Sequence, residues 1–163
     1  MSLLEICQWI QESQFAITIR ESNYAFPYIE GTHVLALSLS IGTIMWFDLR
    51  LAGVLFRNQP VSVVFNQLRP FFFTGFPIMF ITGIFLFIAH AAQCYSSNYF
   101  RVKLLLILLA GLNVLLFHST IDRRRAEWDK SPFPPFQARV AGFLSLFFWV
   151  SIMAAGRLFA YYL

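Results

Sequence analysis

The sequence predicts an all-α integral membrane protein, a four-helix bundle with an N-terminal amphipathic interfacial helix. The first observation is composition: 58% of the 163 residues are hydrophobic and only 12% are charged, against about 25% in soluble domains. The second is that four apolar stretches are long enough to cross a bilayer. The third is that the basic residues cluster beside these stretches. This pattern excludes a soluble domain and argues against nucleic acid as a partner.

Residues 1–23 are predicted to form the amphipathic helix that precedes the membrane domain. Ser2 and Glu5 fit a capping box, which satisfies free N–H groups at a helix start. Apolar residues from Leu3 to Ile17 fall near one helical face, and charged residues such as Arg20 prevent the segment from spanning. Two interpretations remain open: the helix lies on the membrane surface, or it packs on the protein's own loops.

The membrane domain is predicted over residues 24–163, with spans at about 28–49, 70–92, 102–121 and 140–161. No Asp, Glu, Lys or Arg lies between Glu30 and Asp48 in the first span, and none lies between Arg69 and Arg101 around the second. Pro77 predicts a kink in the second span. Small residues in the spans allow neighbouring helices to approach closely.

The distribution of basic residues predicts the orientation in the membrane. Four spans place both chain ends on one side and the two longer connections on the other. The connections hold most of the basic residues (Arg50, Arg57, Arg69, Arg123, Arg124, Arg125, Lys130 and Arg139). By the positive-inside rule, the connections are cytoplasmic and both termini are periplasmic, in a bacterial inner membrane.

Five polar residues are predicted to converge at the periplasmic end of the bundle: Glu30, His33, His90, Lys103 and Arg157. Two imidazoles at similar depth on facing helices are what a b-type haem needs, so His33 and His90 are the predicted metal ligands. Lys103 and Arg157 would neutralise the haem propionates. His118 lies too far toward the other end to share a metal with His33, at about 1.5 Å per residue.

Each of these residues also has a structural interpretation without a cofactor. His33 can hydrogen-bond Glu30 or a neighbouring carbonyl group, and His90 can be an interfacial residue facing water. Arg157 and Glu30 can form an ion pair that joins the fourth span to the first. His118, beside Asp122, needs no cofactor.

A copper site is a second metal hypothesis. His90 and Cys94 are four residues apart and share a helix face, and with His33 they would give a nitrogen–sulfur site suited to copper. The competing interpretations of the cysteines are a Cys7–Cys94 disulfide, which a periplasm permits, and two unpaired thiols.

Several short patterns carry a resemblance to known proteins: Glu30-x-x-His33, Asp48-Leu-Arg50, Lys103-Leu104, Phe117-His118 and Gly156-Arg157-Leu-x-Ala-Tyr161. From about residue 24 to the end, the chain resembles an uncharacterised family of bacterial four-helix membrane proteins. It is more distantly similar to the membrane protoporphyrinogen oxidases (HemJ-type) and to CopD-type copper-resistance proteins. The first similarity implies haem b and redox chemistry, with His33 as ligand and Lys103 as a rim or catalytic group. The second implies copper passage.

The leading functional prediction is therefore a haem-b-binding electron-transfer protein of the inner membrane. It would pass electrons between a quinol or porphyrin-like reductant and a periplasmic partner. The alternatives are a copper-handling membrane protein and a cofactor-free structural subunit of a larger complex or homo-oligomer, which would pack its phenylalanine-rich surface against other subunits.

Overall fold

The computed structural model describes residues 2–162, which form helices and contain no strand. In chain order the α-helices are α1 (Leu3–Gln11), α2 (Gln14–Glu21), α3 (Ala25–Leu51), α4 (Val61–Ala89), α5 (Ala91–Ser96), α6 (Asn98–Leu116), α7 (Arg125–Trp128) and α8 (Phe136–Tyr161). The helices α3, α4, α6 and α8 are long and apolar enough to cross a membrane. The predicted all-α four-helix membrane bundle is confirmed.

The N-terminal segment is two helices rather than the single predicted one. The Ser2–Glu5 capping box is present, with hydrogen bonds of 2.9 and 3.2 Å. A second cap starts α2, because the Ser13 hydroxyl accepts from the Ala16 N–H at 3.3 Å. Helix α1 packs against α5, and α2 packs against α3 and α4, where Ile19 is buried. These contacts favour the interpretation in which the segment packs on the protein's own chain.

Helix α4 begins at Val61 rather than at Pro70, and it runs through both Pro70 and Pro77. Membrane helices tolerate proline where neighbouring groups satisfy the freed carbonyls. The early start is fixed from outside the helix: the Val61 N–H donates to the Asp129 carbonyl at 3.0 Å, and the Ser62 N–H and hydroxyl each donate to the Asp129 carboxylate at 2.7 Å.

The third long helix changes geometry toward its end. A π-helical turn at Phe117–Ile121 follows α6, and a 3₁₀ turn at Asp122–Arg124 leads into α7. This end of the bundle, which carries the connections 52–60 and 129–135, is called the loop pole; the opposite end, near the chain termini, is called the terminal pole. Leu51, Val61 and Phe117 belong to the buried apolar cluster at the loop pole.

The four long helices are not equally close to one another around the bundle. Helix α3 packs against α4 and α8, and α6 packs against α8, whereas the backbones of α4 and α6 stay further apart in the described range. The α3–α8 crossing is close, since a Cβ atom on Gly142 would lie 2.8 Å from the Asp48 carbonyl oxygen. Gly75 meets Ser40 in the same way at the α3–α4 crossing. Helices α4 and α6 meet near the terminal pole through the stacked rings of Phe87 and Phe100, whose centroids are 5.9 Å apart.

Candidate functional site

His33 makes the most specific contact among the predicted site residues. Its Nδ1 atom lies 3.0 Å from the Thr82 hydroxyl oxygen on α4, and Thr82 donates its own proton to the Ile78 carbonyl at 2.6 Å. With its proton on that carbonyl, the Thr82 oxygen is free to accept from His33 Nδ1–H, and in this tautomer the Nε2 lone pair is available. Gly83 lets the ring approach, because a Cβ atom there would lie 3.1 Å from His33 Cε1.

His90 lies at a different level of the bundle from His33. It follows the last residue of α4, and its ring packs edge-on against Phe26 with centroids 5.3 Å apart. Along α4, His90 follows Thr82 by about 12 Å at the helical rise. The structure therefore brings His33 to Thr82 and His90 to Phe26, and it does not place the two imidazoles at one depth.

The charged residues of the terminal pole surround His33 loosely. Lys103 is half-buried on α6, beside Gly156 of α8, where a Cβ atom would lie 3.4 Å from Nζ. Lys103 and Glu30 are both within electrostatic range of the His33 ring. Glu30 and Arg157 are exposed, and no ion pair joins them in the part of the chain that the structure describes.

The two cysteines are free thiols on packed helices. Burial raises the pKa of Cys94 to about 12, so its thiol stays protonated and unreactive at neutral pH. Within residues 2–162, no three His, Cys, Asp or Glu side chains come together as a metal-binding group. The set His33, His90 and Cys94 is thus not assembled as a copper site.

His118 and Asn113 have structural partners at the loop-pole half of the bundle. His118 Nδ1 lies 2.9 Å from the Asp122 carboxylate, which Arg125 also contacts. The Asn113 side chain donates to the Ala141 carbonyl at 3.0 Å and so links α6 to α8. These contacts agree with the interpretation of His118 that requires no cofactor.

A cavity of about 520 Å³ lies between the four long helices in the loop-pole half, and the sequence analysis missed it. Aromatic and aliphatic side chains form most of its wall, including Phe47, Phe65, Phe72, Phe76 and Ile107. The π-helical turn contributes Phe117 and His118, as such turns often do at functional sites. No local pattern in the sequence marks the cavity, because four separate helices build it.

Two residues in the wall of this cavity carry buried polar atoms without partners. Asp48 is 4% exposed, and its Oδ2 atom has no hydrogen-bond partner. The Trp149 indole N–H is also buried without a partner. Both residues line the cavity. A buried polar group normally has a hydrogen-bond partner, so these two are the strongest sign of a ligand in the described chain.

Comparison with known proteins gives one match. A model described as "Family of unknown function (DUF6644)" matches residues 12–162. The chain belongs to this family. No curated protein and no solved structure matches the chain. The distant similarity to protoporphyrinogen oxidases and CopD-type proteins therefore stays a prediction.

Proposed function

We propose that this protein is a haem-b-binding redox protein of the bacterial inner membrane, with His33 as its axial ligand. One observation carries the proposal. The His33 Nδ1–H is held by Thr82, whose proton goes to Ile78. Metal-bound histidines almost always donate their other ring N–H in this way, which fixes the ring and its tautomer.

The environment of His33 also fits a haem group. The His33 ring is half-buried within the first span, and a histidine inside a membrane helix is a functional candidate by default. Lys103 is half-buried near His33 and offers an amine to a propionate. Haem b, when bound, supplies one-electron transfer. His90 lies outside this ligand set, because its ring packs on Phe26 at another depth.

The basic connections support an orientation with the terminal pole in the periplasm. In that orientation His33 lies in the outer half of the membrane, where a periplasmic electron partner has access. A quinol dissolved in the bilayer is the proposed electron donor.

The test is an absorption spectrum of the detergent-purified protein, oxidised and then reduced with dithionite. A Soret band, with α and β bands on reduction, is expected. His33→Ala is expected to abolish haem retention, whereas His90→Ala and His118→Ala retain it. A flat spectrum from folded protein, expressed with haem available, would overturn the proposal and leave the copper and structural-subunit hypotheses.

Thr82→Val tests whether the hydrogen bond to His33 positions the ligand. The variant keeps the shape of the side chain but removes the acceptor, and we expect haem affinity to fall about 10- to 100-fold. Thr74→Val is the matched control, because Thr74 lies on the same helix and its hydroxyl bonds only its own backbone. Equal haem affinity in both variants would show that Thr82 does not position His33.

A further inference from the structure

The loop-pole cavity has the size and lining of a site for a lipophilic molecule. Its volume of about 520 Å³ falls in the range of ligand pockets, roughly 300 to 1,000 Å³. Its wall is mostly apolar, and among its few polar residues Asp48 and Trp149 carry buried polar atoms without partners. An apolar pocket with a few placed polar groups is the usual form of a small-molecule site.

The cavity is open toward the bilayer rather than closed inside the bundle. The backbones of α4 and α6, which form its two sides, are not in close contact, and the Phe87 and Phe100 rings that join these helices lie toward the terminal pole, away from the cavity. Phe73 on α4 and Leu115 on α6 both line the cavity, yet they are 57% and 68% exposed. Since both belong to membrane-spanning helices, a ligand can enter sideways from the lipid phase.

The polar groups inside the cavity select the chemistry of the ligand. A plain acyl chain would leave the Asp48 carboxyl oxygen and the Trp149 N–H unpaired, which is costly in an apolar site. An anionic lipid headgroup inside the cavity would meet the Asp48 carboxyl group and a single N–H donor, that of Trp149. The arginine in the wall, Arg69, is exposed and lies over the Phe73 ring.

We propose that this cavity binds a quinone-class molecule, a neutral lipid-soluble ring with two oxygen atoms, that enters between α4 and α6. One ring oxygen accepts from the Trp149 indole N–H. The second oxygen, as a hydroxyl in the reduced form, donates to the Asp48 carboxyl group. The cavity would be the binding site of the proposed quinol donor. Its role in electron transfer rests on the proposed function, but quinone binding itself requires no haem.

The experiment is photolabelling with an azido-benzoquinone that carries a decyl tail. The full chain in lipid nanodiscs is irradiated, and the labelled peptides are mapped by mass spectrometry. We expect label on the cavity segments of α3, α6 and α8, with competition by unlabelled decyl-benzoquinone but not by decylbenzene. The labelling is repeated on protein produced without haem, so that a flat haem spectrum and a failure of quinone binding are separate results.

Variants of the cavity make the test specific. Gly111 lines the cavity and has open space where a Cβ atom would be, so Gly111→Phe is expected to fill the site and abolish competable labelling. Gly42→Phe is the matched control, because Gly42 is equally open but outside the cavity. Trp149→Phe and Asp48→Leu are each expected to weaken quinone competition about tenfold.

Three results would overturn the quinone proposal. The first is label spread over the lipid-facing surface without competition. The second is equal competition by decylbenzene, which would mean that the cavity takes any apolar chain. Labelling that is unchanged in Gly111→Phe would place the bound quinone elsewhere on the protein and equally reject this site.

Discussion

A buried arginine links the two connections of the loop pole, whereas two short helices cover the terminal pole. Arg50 is 0% exposed and donates to the Gln59 and Ser131 carbonyls, both at 2.9 Å, so it joins the two connections. At the terminal pole, Arg20 donates to the Ala89 carbonyl at a longer 3.3 Å, and Gln11 accepts from the Ala92 N–H at 2.9 Å.

The difference shows that a basic residue near a membrane span can have two roles. Arg50 belongs to the positive charge that predicts orientation, and it is also a structural link between loops that are distant in sequence. The loop pole is thereby fixed around the cavity. The terminal pole keeps its charged groups exposed or half-buried around His33, where a partner can reach them.

The largest expected effect comes from making one substitution at each pole. Arg50→Met leaves two carbonyls without their charged donor and should lower the free energy of unfolding by about 3 kcal/mol. Arg20→Met removes longer, partly exposed bonds and should cost less than about 1 kcal/mol. Unfolding in SDS titrations, followed by circular dichroism, measures both. Equal losses of unfolding free energy in the two variants would contradict this difference between the poles.

The second prediction concerns the close α3–α8 crossing beside the cavity. Gly142→Ala places a Cβ atom 2.8 Å from the Asp48 carbonyl oxygen and 3.0 Å from Leu51 Cβ. The helices must separate, and we expect a loss of about 1–3 kcal/mol. Gly42→Ala is the control, because nothing lies within 4 Å of its Cβ position; it should be neutral or slightly stabilising. The same SDS titration measures both variants. Equal free energies of unfolding for the two variants would contradict the close approach of α3 and α8 at Gly142.

The smallest effect is a dependence of loop-pole stability on pH. Burial tends to raise the pKa of Asp129, but hydrogen bonds from Ser62 and the charges of Arg125 and Arg50 outweigh it, so the pKa lies below its usual value. The folded protein thus favours the carboxylate. This stabilisation is complete above the unfolded pKa, about 3.9, and is lost as the pH falls through the lower folded pKa.

Asp129→Asn should therefore lower the melting temperature at pH 7, and this difference should shrink as the pH is lowered below the unfolded pKa. Glu127→Gln, at an exposed position on the neighbouring helix α7, is the control and should change little at either pH. Thermal melts in detergent at pH 7 and below the unfolded pKa measure the effect. A difference between wild type and Asp129→Asn that is constant with pH would exclude the carboxylate contribution.

The sequence by itself determined the number of membrane helices, their approximate positions and the Ser2–Glu5 cap. These properties depend on the length of apolar runs and on residues three or four apart, which are local in the chain. The start of α4 was not predictable in this way. It depends on hydrogen bonds from Val61 and Ser62 to Asp129 on a distant connection.

Only the tertiary structure decided which side chains meet. The long helices are apolar on nearly every face, so the sequence carries little information about how each helix is rotated. His33 was predicted as a site residue, but its pairing with Thr82 rather than with His90 follows from rotation and register. The cavity with Asp48 and Trp149 is built by four helices, and it lies where the backbones of α4 and α6 stay apart, which no single segment of the chain encodes.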